Sequence, residues 1–98
     1  MYLKIHENNG QRIIAACDKE LIGTLLEEGK YSIDLKKYSS FYKGKLVTEA
    51  ELSKALNSFT SVNLVGKKTV GVALSKKLVS EEQIIIIKNL PFIQIYRV

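Results

Sequence analysis

Asn9-Gly10 is the pair of residues that most narrows what this chain can become. Both central positions of a type I′ turn need positive φ, and Asn-Gly meets that need with little strain. The residues before it, Tyr2 to Glu7, alternate in polarity, and an apolar stretch follows as far as Cys17. A two-residue turn there forces the register. Asn8 faces Gln11, Glu7 faces Arg12, His6 faces Ile13, Ile5 faces Ile14 and Leu3 faces Ala16. One face of the hairpin then carries Leu3, Ile5, Ile14 and Ala16, as a core face should, and Glu7 and Arg12 make an opposite-charge pair near the tip.

Local signals continue along the chain. Asp18 suits the N-cap of one or two helical turns over Lys19–Ile22, with Gly23 as the stop. A strand over Thr24–Glu27 and a turn at Glu28-Gly29-Lys30 lead into the alternating Tyr31–Leu35 segment. Lys36 to Gly44 has no clean period, and Lys45 to Val47 fits a short strand. Thr48-Glu49-Ala50-Glu51 is a capping box. The helix it opens is expected to reach about Ser58, with Leu52, Ala55, Leu56 and Phe59 as its apolar stripe. Ser61–Val65 reads as a strand, Gly66 as a turn, and the next residues as a helix with Val70, Ala73 and Leu74 on one face, ending near Lys76-Lys77. Ser80-Glu81-Glu82-Gln83 resembles a second capping box. Ile84–Ile87, apolar on both faces, predicts a buried strand. Asn89-Leu90-Pro91 predicts a turn, and Phe92–Val98 a last strand. The pattern is that of one α+β domain over residues 1–98, with a mixed sheet, an N-terminal β-hairpin and two main helices on one face.

Composition excludes several function classes. No apolar run approaches the roughly 20 residues of a membrane span, and the N-terminus is alternating and charged rather than a secretory signal. The single Cys17 cannot form an internal disulfide. These features predict a cytoplasmic protein without a membrane partner. One Cys and one His match no zinc spacing, so no metal or other cofactor is expected. A Cys17–His6 dyad fails on register: Cys17 sits opposite Tyr2, four residues from His6, or roughly 13 Å along a strand. The adjacent carboxylates Glu27-Glu28 and Glu81-Glu82 suit solvation or capping. No enzymatic constellation and no small-molecule substrate emerge. A small enzyme using Cys17 or Asp18 is the weakest of the readings.

The net charge of +5 suits a nucleic-acid partner, and equally suits plain solubility. Gly66-Lys67-Lys68-Thr69 is more specific. A glycine between strand and helix lets backbone N–H groups approach an anion that the helix dipole favours. The segment is not a nucleotide-hydrolase loop: Ser61 stands where the first glycine belongs, and Lys67 is inserted before Lys68-Thr69. The alternative is that Gly66 ends the strand and the lysines are a solvated helix start; against it, two lysines there oppose the dipole, a small departure of the kind function can explain. A second zone, Lys36, Lys37, Tyr38, Tyr42 and Lys43, mixes cations with aromatics. It fits stacking on bases beside phosphate contacts, or a loop pinned to the core by its rings.

Lys4-Ile5-His6-Glu7, Ala16-Cys17-Asp18-Lys19-Glu20-Leu21-Ile22-Gly23, Phe41-Tyr42-Lys43-Gly44, Asn63-Leu64-Val65-Gly66 and Leu90-Pro91-Phe92-Ile93-Gln94, in order and spacing, resemble the small archaeal family called domain of unknown function 424. The resemblance spans nearly the whole chain. It implies a short single-domain protein with no assigned activity, loosely regarded as RNA-binding or translation-associated. It places Gly23, Gly44 and Gly66 in turns and Cys17-Asp18-Lys19 where a strand meets a helix, as a cap or a surface site. It transfers no catalytic residue. The expectation is therefore a non-enzymatic protein that binds RNA or associates with the ribosome. The alternative is a protein–protein module or homodimer that uses the C-terminal strand as an open edge.

Overall fold

A computed structural model describes residues 1–97. The closing Val98 of the expected last strand lies outside the described residues. Strands β1 (Tyr2–Asn8) and β2 (Gln11–Cys17) form the hairpin with the expected register, Tyr2 opposite Cys17 and Asn8 opposite Gln11. Asn9 and Gly10 both adopt positive φ, and Arg12 Nη1 donates to Glu7 Oε1 at 3.1 Å. After a 3-10 turn at Lys19–Leu21 come β3 (Leu25–Glu28), β4 (Tyr31–Asp34), the single-turn helix α1 (Ser39–Tyr42) and β5 (Lys45–Leu46). Then follow α2 (Glu49–Ala55), β6 (Ser61–Val65), α3 (Lys67–Ser75), β7 (Ile85–Ile87) and β8 (Leu90–Tyr96).

Six strands form one mixed sheet in the order β5-β1-β2-β6-β8-β7. Only the β2–β6 pairing is parallel among the described strands; β3 and β4 make a separate hairpin. The sheet is covered on both sides. Ile14, Ala16, Val62, Leu64 and Ile93 meet Leu52 of α2, Leu56 at its C-terminal end, and Val70 and Ala73 of α3. Ala15, Cys17, Val65 and Ile87 meet Leu21, Leu26, Leu35 and Tyr42 on the opposite face. Period-2 alternation explains the split: even residues of β2 point to the helices and odd ones to the β3–β4 hairpin and α1. A strand apolar on both faces, as β2 is from Ile13 onward, belongs in the middle of such a stack.

Three local expectations are corrected. The helix α2 keeps its capping box, Thr48 Oγ1 accepting from Glu51 N–H at 3.2 Å and Glu51 Oε1 from Thr48 N–H at 3.0 Å, but it stops at Ala55. The chain beyond must reach the start of β2, where Arg12 Nε donates to Ser58 O, Arg12 N–H to Thr60 Oγ1, and Thr60 Oγ1 to Arg12 O. The stripe beyond α2 is nevertheless buried, Phe59 lying under the Arg97 guanidinium at 4.0 Å. The tetra-isoleucine segment is not a central strand. β7 is the outer edge of the sheet, with Ile87 buried and Ile86 half exposed. Finally, the turn before the last strand is Lys88-Asn89, both at positive φ, so Leu90 and Pro91 already belong to β8.

Candidate nucleic-acid interface

β2 and β6 run parallel and side by side, and their continuations leave on opposite faces of the sheet. β2 turns toward the β3–β4 hairpin and β6 toward α3. A crevice opens at the carboxyl ends of such strands, the place where ligands often bind in α/β sheets. Here the crevice holds a residue of the chain itself. Asp18 directly follows β2, and its N–H donates to Val65 O at 3.0 Å, which carries its side chain to the start of α3. Asp18 Oδ1 accepts from Thr69 N–H at 2.9 Å and from the Thr69 hydroxyl at 2.7 Å, and Oδ2 accepts from Lys68 N–H at 3.1 Å. The carboxylate is almost wholly buried.

Asp18 is thus a helix cap, as its residue type suggested, but of a helix fifty positions away. It makes no side-chain cap to the 3-10 turn beside it. Gly66 is required here twice over. Its φ is +110°, and a Cβ at this position would collide with the Asp18 carboxyl group. Gly66 N–H donates to Pro91 O at 2.9 Å. Of the four backbone amides expected to face an outside anion, only that of Lys67 has no partner among the described residues. Thr69 is fully buried and points inward. The two lysines that oppose the helix dipole are offset by an internal carboxylate.

The Lys67 and Lys68 side chains stay exposed, and they line a groove of about 490 Å³ between α2 and α3 with Lys76, Glu49 and Ser53. Lys76, which sequence reading assigned only to the helix end, joins them from the last turn and donates to Asn57 Oδ1 at 2.8 Å. Gly71 leaves the groove floor open, since nothing lies within 4 Å of where its Cβ would be. None of these lysines has an ion-pair partner among the described residues, where only Arg12–Glu7 and Lys45–Glu51 are paired.

The second expected zone lies across the sheet from this groove, so the two do not form one patch. Lys36, Lys37 and Lys43 are exposed, and Tyr38 is 55% exposed with Lys37 Nζ 5.4 Å from its ring centre. Tyr42 is buried against the sheet; burial, aided by neighbouring Cys17, pushes its phenol up to about 12, so it stays a neutral hydroxyl. Phe41 is packed between His6, stacked at 4.6 Å, and Tyr42, edge-on at 5.2 Å. His6 Nε2 lies 2.9 Å from Phe41 O, so His6 pins α1 to β1.

Cys17 is fully buried. Burial and then the adjacent Asp18 push its thiol up to about 12, far from the range of a nucleophilic thiolate. Among the described residues no three His, Cys, Asp or Glu side chains converge on a metal position. No helix there is long and apolar enough to cross a membrane.

The fold is shared with a solved protein, an uncharacterized conserved protein from Methanopyrus kandleri. The TM-score is 0.77 at 22% sequence identity, over 97% of this chain and 89% of that one. No curated protein matches the chain. The family model described as protein of unknown function (DUF424) matches residues 6–98. By that near-complete match, the chain belongs to the DUF424 family of proteins of unknown function.

Proposed function

We propose that this is a non-enzymatic RNA-binding protein that holds the phosphate backbone of free or ribosomal RNA with lysine side chains, without a preformed backbone anion cradle. The observation that carries the reading is the clustering of Lys67, Lys68 and Lys76 around one open groove with no neutralising ion pair among the described residues. Lys36, Lys37 and Lys43 supply a second contact on the opposite face. Contacts made by flexible ammonium groups are insensitive to sequence and weaken steeply with salt. Binding of a labelled single-stranded RNA, measured over a salt series, tests it. The triple variant K67Q/K68Q/K76Q is expected to reduce the slope of log K against log salt by about 2, at roughly 0.7 per phosphate contact. An unchanged slope with intact binding removes the groove from the interface.

A homodimer is a second reading with its own support. β7 pairs only with Leu90–Phe92, whereas β8 runs on to Tyr96. Arg97 N–H donates to Thr60 O and Pro91 O accepts from Gly66 N–H, so odd-numbered residues of β8 turn their backbone toward β6. The backbone groups of Gln94 and Tyr96 then face outward beyond the end of β7, an open edge that can add a strand. Light scattering after size exclusion separates the cases. A dimer that Gln94→Pro converts to monomer supports the edge contact, and a monomer at high concentration eliminates it.

A further inference from the structure

A cavity of about 340 Å³ lies between α1, β4 and β8, lined by Ile33, Asp34, Tyr38, Phe41, Tyr42 and Phe92. Four aromatic side chains, Tyr38, Phe41, Tyr42 and Phe92, meet at this one opening. Phe41 is held rigidly between His6 and Tyr42, while Tyr38 stands exposed at the rim. The Tyr42 hydroxyl has no hydrogen-bond partner among the described residues, yet no fully enclosed side-chain oxygen or nitrogen lacks one. The hydroxyl therefore reaches solvent, and this cavity is the opening that Tyr42 lines.

Ser32 completes the lining, in which Asp34 is the one charged residue. Its Oδ1 accepts from Lys36 N–H at 3.1 Å and Lys37 N–H at 2.8 Å, which fixes the carboxylate in place. Its Oδ2 has no partner among the described residues. A carboxylate only accepts, so it suits a ligand that presents an N–H donor. The surrounding charge is positive: Lys36 and Lys37 lie two and three residues beyond Asp34, and Lys43 follows Tyr42. A planar ring bearing an amino group and joined to phosphate satisfies all three properties. A cationic guest such as a methylated ammonium satisfies the rings and the carboxylate but meets repulsion from the lysines.

We infer that this cavity holds one unpaired purine base of a single-stranded RNA, stacked on the exposed Tyr38 ring with Phe41 and Phe92 as the apolar wall beside it, its exocyclic amino group donating to Asp34 Oδ2 and its flanking phosphates on Lys36 and Lys37. The inference rests on the RNA-binding reading and adds to it a base preference. Adenine and guanine present an amino donor and a large stacking area. Uracil offers one ring N–H between two carbonyl oxygens that repel a carboxylate.

Fluorescence anisotropy of the full chain with labelled oligo(A) and oligo(U) of equal length, at several salt concentrations, decides it. Oligo(A) should bind at least about 5-fold tighter. Tyr38→Ala should weaken oligo(A) about 10-fold and leave the salt slope unchanged, the effect of losing a stacking ring rather than a charge. Asp34→Asn, which keeps an acceptor for Lys36 and Lys37 N–H but replaces the free oxygen with a donor, should erase or invert the preference. Equal binding of both RNAs overturns the base pocket and leaves the backbone reading standing. No binding of either at low salt overturns both. Tighter binding of a trimethyl-lysine peptide than of RNA, lost in Tyr38→Ala, overturns the inference in favour of a cation site.

Discussion

At the scale of single residues, Asp18 and Gly66 act as one unit. Replacing Asp18 with Ala leaves the Thr69 N–H and hydroxyl buried without an acceptor and uncaps α3. A lost cap and orphaned buried donors together cost about 3 kcal/mol; Asp18→Asn, which keeps one acceptor oxygen, should cost less. Gly66→Ala destabilises through the strained φ and the collision with the Asp18 carboxyl. The double variant should lose less than the sum of the singles, by at least about 1 kcal/mol, because the collision disappears with the carboxyl group. Strict additivity in urea melts would deny that the two residues touch. Cys17 gives a separate check. Its raised thiol pKa means that the folded state holds its proton to about 12 while the unfolded chain releases it near 9. The stability it contributes is complete below pH 9 and is lost as pH rises toward 12. Thiol reagents at pH 8 should therefore modify Cys17 at the rate of unfolding; rapid labelling of the native protein would place the thiol at the surface.

At the scale of elements, α2 and α3 start in different ways and answer to different changes. The cap of α2 is local. Glu51 is held below the usual glutamate range chiefly by the Thr48 N–H it accepts. A depressed carboxyl stabilises above its unfolded pKa and ceases to as pH falls through the folded one, so this contribution fades under acid. Thr48→Ala should cost about 1 kcal/mol at neutral pH, and Glu51→Gln should remove the acid dependence while keeping most of the cap. Within α3, Gly71→Ala should raise stability by about 0.5–1 kcal/mol, since Gly disfavours helix interiors and the added methyl meets nothing. A loss of stability would mean that the groove closes on itself in solution. The cap of α2 lies within four consecutive residues and was legible in the sequence. That of α3 was not, because its capping residue belongs to another strand.

At the scale of the whole molecule, protection should follow position in the stack. β2 and β6 lie between two cores, whereas β5 and β7 are short edges. Native-state hydrogen exchange is expected to be slowest in β2 and β6, near the global unfolding energy, and fast in β5 and β7. Equal protection of β7 and β6 would contradict the edge position of the isoleucine segment. The same two-sided architecture separates the basic groups. Lys67 and Lys68 lie on the helix side and Lys36, Lys37 and Lys43 on the other, so a single RNA strand meeting both zones must pass around the sheet. The sequence shows that both zones exist, and nothing in it shows that they lie back to back.

What the sequence determined by itself is whatever closes within a few residues. Asn9-Gly10 set the hairpin register, Thr48 and Glu51 set the start of α2, and spacing set the buried stripe from Leu52 to Phe59. In each case the signal lies in residues close along the chain; for the turn and the cap a local window contains the whole interaction, and for the stripe it contains the pattern but not what covers it. Tertiary structure alone decided that β2 pairs in parallel with β6, that four isoleucines end at an edge, and that Asp18 rather than an outside anion sits at the start of α3. Those outcomes join residues tens of positions apart. They follow from which arrangement buries both faces of the central strands and partners the enclosed side-chain polar atoms of the described residues, a condition on distant parts of the chain that no local segment carries.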